Sequence, residues 1–237
     1  MTIATTTFGG FSKAGVQFLA DLAEHNDRAW FQPRKPEFER LLKTPMESLC
    51  AALDDRFRER RMPLTADPAR SPFRIYRDVR FSKDKSPYKT NIGASFAFLE
   101  RLPDGSPAAS GPRRGGGGYF HLSPGEIYVG GGMWHPDPAP LVAWRALLLE
   151  DPAKVHAATD DPAFVARFGG VGGDRAKRPP AGVPADHPEL SLLTLKDITF
   201  GRRLDDGEAF SPRLPEILAD DLATAVPLLR LLAGLAA

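Results

Sequence analysis

Residues 74–91 read RIYRDVRFSKDKSPYKTN, and they combine the alternation of a β-strand with a high density of charge. The segment contains six Lys or Arg side chains and two Asp side chains. A guanidinium group binds phosphate or carboxylate through two parallel hydrogen bonds, and an ammonium group adds an adjustable point charge. The surplus of cations predicts that this segment binds an anionic small ligand that bears a phosphate or a carboxylate.

An extended conformation would sort residues 73–81 onto two faces, because successive side chains of a strand point in opposite directions. One face would carry Ile75, Arg77, Val79 and Phe81, and the other Arg74, Tyr76, Asp78 and Arg80. Arg77 would then lie among apolar side chains and would need a carboxylate, a carbonyl or a bound anion as its partner. Asp78 would hold one neighbouring guanidinium group but not both.

Further candidate donors lie in the loop after this strand, in the next strand and on two more distant elements. The candidate ligand-binding residues are Arg74, Arg77, Asp78, Arg80, Asp84, Lys85, Tyr88, Lys89, His121 and Arg145. If the protein is an enzyme, Asp84, Asp78 or His121 would act as the general base. The arginines and Lys85 would then stabilise developing negative charge.

Two other interpretations of the charged segment stay open. Cations interleaved with Tyr76, Phe81 and Tyr88 are also typical of a nucleic-acid-binding module. The net charge of the chain is only +1, so attraction to a polyanion would have to come from this local patch. Alternatively, the charges form an internal ion-pair network, and the domain is purely structural.

Other chemistry has weaker support in the sequence. The five histidines have no spacing that would bring two of them to one metal ion, and the single cysteine, Cys50, excludes a cysteine-rich zinc site. We therefore expect no metal site, and no residue pattern identifies a cofactor. The stretch GGGMWHP permits close backbone approach at its glycines, and Trp134 offers either a flat ligand-binding wall or a core side chain.

Residues 74–88 resemble the signature of the domain-of-unknown-function 2461 family, in which Arg-x-x-Arg-Asp-x-Arg-Phe is followed by Asp or Asn, Lys and Tyr. Residues 26–31, 117–136, 141–152 and 192–197 are also similar to blocks of that family, so the resemblance covers most of the chain. It implies a bacterial protein of this size. It implies no activity, catalytic residue or cofactor, because the family is named for having none established.

The elements that would position the charged segment can be predicted from periodicity. Helices are expected at 12–24, at 33–59 with a kink or restart at Pro45, from Leu141 onward, after the Asp-Pro pairs at 151–152 and 161–162, and at 212–233. Strands are expected at 73–81 and 88–98, as an antiparallel hairpin, on both sides of Pro124 and Gly125, and within 192–204. The sequence thus predicts an α+β fold with an antiparallel sheet of four to five strands packed against several helices.

The composition is that of one globular domain over residues 1–237, with 42% hydrophobic residues. The Gly-, Pro- and Ser-rich stretch at 101–117 is expected to be a flexible insert. No signal peptide and no apolar run of about 18 residues is present, so we expect a cytoplasmic protein with no membrane partner. The oligomeric state does not follow from the sequence.

Overall fold

The computed structural model describes residues 7–80, 82–100 and 116–236, and within them it has an α+β fold. The predicted fold class is therefore confirmed. The predicted insert at 101–117 lies mostly outside the described residues, although Gly117 begins a strand. The helices are α1 (Lys13–Glu24), α2 (Arg28–Phe38), α3 (Thr44–Glu59), α4 (Pro138–Glu150), α5 (Pro152–Thr159), α6 (Pro162–Phe168), α7 (Leu190–Leu193), α8 (Asp206–Ala209), α9 (Leu214–Thr224) and α10 (Val226–Leu235).

One antiparallel sheet of five strands holds the strands in chain order. They are β1 (Leu64–Thr65), β2 (Ile92–Phe98), β3 (Gly117–Ser123), β4 (Glu126–Met133) and β5 (Ile198–Arg203). The predicted hairpin at Pro124 and Gly125 joins β3 to β4, with Ser123 opposite Glu126. Gly125 has φ +78°, a conformation that glycine adopts without steric cost.

The helices pack against one face of this sheet. Ala94, Phe120 and Val129 point to that face and are completely buried. Phe11, just before α1, stacks on Phe120 with a centroid distance of 5.7 Å, and α9 places Leu222 against Gly118. All buried hydrophobic residues of the described chain belong to one cluster on this side.

Helix α1 begins, and the next helix bends, where the sequence predicts, but α2 begins at Arg28 and not at residue 33, because the Asp27 side chain accepts the Trp30 amide and caps it there. The Ser12 hydroxyl accepts a hydrogen bond from the Gly15 amide at 3.2 Å and caps α1. A π-helical turn at Glu39–Lys43 separates α2 from α3, immediately before Pro45. Because proline has no amide hydrogen and its ring clashes with the carbonyl one turn back, the wider turn accommodates Pro45 without ending the helical path.

The prediction of a regular strand at 73–81 is wrong for the described residues 73–80. Isolated bridges pair Pro72 with Ala94 and Tyr76 with Tyr88, so the segment lies beside β2 and forms an irregular hairpin arm. Beyond it the ladder is interrupted because the Asp78 carboxylate accepts the Arg80 amide at 3.2 Å. A side chain that bonds to the nearby backbone in this way competes with strand pairing.

Two other predicted elements are divided in the structure. The helix expected at 212–233 is two helices that break at Ala225, because Pro227 cannot supply the amide that a continuous helix would need. The strand expected within 192–204 is limited to β5, and Leu190–Leu193 forms the helical turn α7. Both Asp-Pro starts are confirmed as the beginnings of α5 and α6.

A buried ion pair ties β5 to the helices on the inner face. The Arg202 Nε atom donates to the Asp221 carboxylate of α9 at 2.7 Å, and Arg202 also donates to both oxygens of Glu208. Arg167 lies 3.1 Å from the other Asp221 oxygen. Asp221 is completely buried, so its charge depends on these partners for compensation.

We expect Arg202→Met to lower the free energy of unfolding by about 3–5 kcal/mol, because Asp221 would keep a buried charge without its main partner. The matched control is Arg203→Met, whose side chain is 72% exposed and points to the other face. Arg203→Met should lower the free energy of unfolding by less than about 1 kcal/mol. Urea unfolding of both variants measures the difference, and equal losses would contradict the assignment.

Candidate open-face groove

The outer face of the sheet carries a groove of about 920 Å³. Its walls include Phe73, Tyr119, Tyr128, Trp134, His135 and Asp137. Its floor is formed largely by glycines on the three strands β3, β4 and β5: Gly117, Gly118, Gly131, Gly132 and Gly201. A volume of this size is in the range of small-molecule sites in proteins.

This floor consists of glycines because a larger side chain would collide with the neighbouring strands. Gly132 has φ +104°, and a Cβ atom there would collide with the Ile198 carbonyl of β5. Gly93 leaves room for the Tyr119 ring, since a Cβ atom at Gly93 would lie 3.0 Å from the Tyr119 hydroxyl oxygen. A ligand in the groove would therefore rest on backbone and on the flat sides of aromatic rings.

A polar cluster occupies the middle of the outer face. The Tyr119 hydroxyl lies 3.1 Å from His121 Nδ1, and His121 Nε2 lies 3.1 Å from the Ser123 hydroxyl. Tyr128 is directly opposite His121 in the ladder and stacks on it at 4.8 Å. Burial lowers the pKa of His121 and raises that of Tyr119, so both groups are held in their neutral forms.

Two cations lie next to Phe73, just outside the residues that line the groove. Lys89 Nζ is 5.1 Å from the centre of the Phe73 ring, and Arg74 is exposed beside it. Neither side chain makes a hydrogen bond or ion pair with the residues that the structure describes. Burial, and secondly repulsion by Arg74, lowers the pKa of Lys89. A bound anion would relieve the repulsion between the two cations.

The Trp134 end contains an imidazole held by a carboxylate. The backbone amide of His135 donates to Asp197 Oδ1 at 2.6 Å, and His135 Nδ1 lies 3.3 Å from the same oxygen. The Asp197 side chain is only 5% exposed, whereas that of His135 is 65% exposed. Trp134 is 74% exposed and contacts the imidazole, with a centroid distance of 4.1 Å.

The charges of the predicted site are largely paired with one another in the hairpin arm. Arg77, for which a partner is expected, pairs with Asp84. The Asp84 carboxylate also accepts the Ser86 amide at 2.9 Å. Arg80 pairs with Asp78 at 2.6 Å, and the hydrogen bonds from Arg80 lower the pKa of Asp78 to about 2. The hydrogen bond from the Ser86 hydroxyl, reinforced by the Ser86 amide and Arg77, lowers the pKa of Asp84 further below its usual range.

The other predicted site residues are separated by the fold. Lys85 donates to the Val79 carbonyl at 2.9 Å within the hairpin arm. Tyr88 is completely buried and stacks on Phe31 at 4.1 Å. Arg145 donates to the carbonyls of Leu193 and Leu195 at 3.1 and 3.2 Å, so its contacts are with the chain before β5 and not with residues 74–89.

The structure thus places Arg74 and Lys89 next to Phe73, at the edge of the groove and not in its lining, places His121 beside the groove, and adds residues that sequence reasoning missed. Those residues are Phe73, Tyr119, Tyr128, His135 and Asp197. The sequence contains one signal for them, since His135 directly follows Trp134, a candidate ligand-binding wall. Its partner Asp197 is 62 residues away in the chain, which no local pattern reveals.

A second cavity, of about 850 Å³, lies beside α5 and α6. Its most distinctive group is His156, whose ring nitrogens lie 2.8 Å from Asp160 and 2.9 Å from Glu189. The hydrogen bond to Glu189 and, less strongly, the one to Asp160 raise the pKa of His156. Because both nitrogens are engaged, this histidine joins α5 to the chain before α7.

Within the described ranges, no group of three or more His, Cys, Asp or Glu side chains is arranged to hold a metal ion. None of the helices built from the described residues is long and apolar enough to span a membrane.

Comparison with models of known protein families matches residues 14–230 to the family described as conserved hypothetical protein (DUF2461). No curated protein matches the chain, and neither does any solved structure.

Replacement of Tyr88 should distinguish packing from ligand contact. We expect Tyr88→Ala to lower the free energy of unfolding by about 3–5 kcal/mol, because it empties a fully buried ring site. Tyr88→Phe should cost less than about 1 kcal/mol, since the hydroxyl makes only a 3.5 Å contact with Gln32. Denaturant unfolding tests both variants, and a Phe variant as unstable as the Ala variant would refute the packing role.

The His156 bridge should make stability depend on pH. A raised pKa in the folded state gives stabilisation that is fully present below the unfolded value of 6.5 and is lost as the pH rises through the folded value. The difference in unfolding free energy between the wild type and His156→Gln should therefore shrink from pH 5.5 to pH 9. His25→Gln is the control, and a difference that grows with pH would contradict the bridge.

Proposed function

Because the chain belongs to the DUF2461 family, which is described only as conserved hypothetical protein, we propose its function from the geometry of the open-face groove. The groove binds an anionic small ligand that contains a flat ring. The phosphate or carboxylate of the ligand contacts Arg74 and Lys89, and its ring lies along the aromatic walls. The observation that supports this most directly is a glycine-floored groove with Phe73 in its wall, next to which lie Arg74 and Lys89, two cations that make no ion pair within the described residues.

The cations at the Phe73 end favour an anionic group. Arg77 and Arg80 each have a carboxylate partner within the hairpin arm, so they do not need an external anion. Neither Arg74 nor Lys89 makes an ion pair or a side-chain hydrogen bond within the described residues, although Asp78 attracts Arg74 at longer range, and the two cations repel each other. A phosphate or carboxylate between them would receive charge-assisted hydrogen bonds from both.

The length of the groove favours a ligand larger than a free phosphate ion. The Phe73 amide donates a hydrogen bond to the Gly93 carbonyl. Gly93 is opposite His121 in the ladder, and His121 is opposite Tyr128. Trp134 follows Tyr128 by six residues and lies just beyond Met133, the last residue of β4. At about 3.3 Å per residue the two ends are on the order of 20 Å apart. A ligand that contacts both ends is about the size of a dinucleotide or a sugar conjugate.

The aromatic walls favour a ring system in that ligand. Phe73 and Trp134 are 45% and 74% exposed, respectively, at the two ends of the groove. Exposed rings of this kind stack on bases and on the apolar faces of sugars. The hydroxyls of Tyr119 and Tyr128 between them supply hydrogen bonds that fix the orientation of a ring.

Single-stranded nucleic acid is a second candidate, and one observation favours it. Tyr76 is 44% exposed and belongs to the same hairpin arm as Phe73, Arg74 and Lys89. Rings and cations that alternate along a surface bind successive bases and phosphates without regard to sequence. Such binding would weaken steeply as salt increases, whereas binding of a small ligand with one or two charges would change little.

A thermal-shift screen tests the proposal. The probes are inorganic phosphate, nucleoside phosphates, dinucleotides, sugar phosphates, dicarboxylates and a single-stranded oligonucleotide, with affinities then measured by calorimetry. We expect ring-containing anions to raise the melting temperature and inorganic phosphate alone to bind weakly. For the best probe, Lys89→Met should weaken binding by about 10- to 100-fold, the value of one charge-assisted hydrogen bond.

The matched control is Lys83→Met, which removes the same charge from the exposed loop of the hairpin arm, whereas Lys89 lies over the Phe73 ring of the groove wall. Its affinity should stay within about twofold of the wild type, because no hydrogen bond to the ligand is removed. Equal losses in the two variants would indicate a nonspecific charge effect. Failure of every probe to bind would overturn the proposal.

A further inference from the structure

The groove has few groups that could accept a proton from a bound ligand. The two carboxylates suggested by the sequence, Asp78 and Asp84, are held in their ionised forms by hydrogen bonds and guanidinium groups, which weakens them as bases. His121 has both ring nitrogens within hydrogen-bond distance of neighbouring polar groups. Neither the carboxylates nor His121 combines basicity with a free nitrogen or oxygen in the groove.

His135 has the geometry that these groups lack. Its φ angle is +48°, a left-handed conformation that is uncommon for any residue other than glycine. The hydrogen bond from its amide to the buried Asp197 carboxylate maintains this conformation. Strained backbone that the surroundings hold in place occurs preferentially at functional sites. The strain here turns the imidazole outward, into the wall of the groove.

The contact with Asp197 assigns different roles to the two ring nitrogens. Nδ1 lies 3.3 Å from Asp197 Oδ1. A carboxylate at this distance attracts an N–H group and repels a nitrogen lone pair, so the tautomer with the proton on Nδ1 is favoured. Nε2 is then the nitrogen with the lone pair. It makes no hydrogen bond with any residue in the described part of the chain, and the side chain is 65% exposed.

We infer that His135 is a general base, oriented by Asp197, that accepts the proton of a ligand hydroxyl group in the groove. This inference rests on the proposed function for the position of the ligand. The O–H bond of the hydroxyl breaks, its electron pair stays on oxygen, and the proton forms a new bond to Nε2. The positive charge that develops on the imidazole is balanced by the Asp197 carboxylate.

The surroundings of His135 suit a hydroxyl-bearing ligand at this end. Trp134 offers a flat surface to the apolar side of a sugar or ring, and the exposed carboxylate of Asp137 accepts hydrogen bonds from hydroxyl groups. Asp137 would repel the anionic group, which the cations attract to the opposite end. The ligand therefore binds with its hydroxyl-bearing part toward His135.

The first test is the tautomer of each histidine, measured by long-range proton–nitrogen correlation NMR on protein labelled with ¹⁵N-histidine. At a pH where the imidazoles are neutral, we expect His135 to be protonated at Nδ1 and unprotonated at Nε2. His25, which has no carboxylate partner among the described residues, is the internal control. A His135 that is protonated at Nε2 would overturn the inference.

The second test is the rate at which diethyl pyrocarbonate acylates each histidine, followed by mass spectrometry. We expect His135 to react faster than His25. In Asp197→Asn, which keeps an oxygen to accept the His135 amide, the ratio of the two rates should fall by about fivefold, because a neutral amide cannot balance the charge on the imidazole. The ratio also controls for folding, since His135 and His25 would react alike in an unfolded chain.

A His135 that reacts no faster than His25, or an unchanged ratio in Asp197→Asn, would show that Asp197 is only a cap for the turn. If Asp197→Asn does not fold, the tautomer in the wild-type protein still decides the question. Both measurements use the ligand-free protein, so they are independent of the probe screen. When a probe binds, it should slow acylation of His135, and the absence of protection would remove His135 from the ligand site.

Discussion

The helices cover only one face of the five-stranded sheet, and most other properties of the molecule follow from this asymmetry. The covered face supplies the hydrophobic core and contains the buried pair of Arg202 and Asp221. The other face keeps polar and aromatic side chains at the same positions along the same strands. Because alternate residues of a strand point to opposite sides, a single ladder register positions both the core and the groove.

The charged segment 74–89 has a structural role and a proposed binding role, and different residues serve each. Arg77 with Asp84, and Arg80 with Asp78, form local pairs that shape the hairpin arm. Tyr88 fixes the arm to the helices by packing on Phe31, and Asn26 bonds to both the amide and the carbonyl of Tyr88. The arm therefore holds Phe73, Arg74 and Lys89 at the edge of the open face.

The sequence predicted the elements whose signals are local. The serine cap of α1, the Asp-Pro starts of α5 and α6 and the turn at Gly125 all depend on residues within a few positions of one another. Predictions failed where local groups competed with the pattern. Asp78 bonds to its own backbone neighbour where a strand was expected, and Pro227 divides a continuous apolar periodicity into two helices.

The candidate site likewise combines residues with a local sequence signal and residues that only the fold brings together. Its cationic end was proposed from the sequence, because Arg74 and Lys89 belong to a segment whose excess of positive charge is visible there, and their contact with a ligand stays a prediction. Its other end was not, because the Trp134–His135 pair gains its meaning only from Asp197, which arrives from the chain before β5. The sequence pair Trp134–His135 predicts no function by itself. The buried Asp197 carboxylate lies beside His135 only in the folded chain.

By itself, the sequence determined the fold class, the family and the location of surplus charge, since each depends on composition, periodicity or a contiguous motif. Only the tertiary structure decided which of those charges are neutralised and which side chains share a groove. The reason is physical: a guanidinium group binds whichever anion is nearest in space, and neither periodicity nor spacing specifies that distance between residues far apart in the chain. RIYRDVRFSKDKSPYKTN thus marks the region of surplus charge, and the packing of the hairpin arm against the sheet places Arg74 and Lys89 beside the groove.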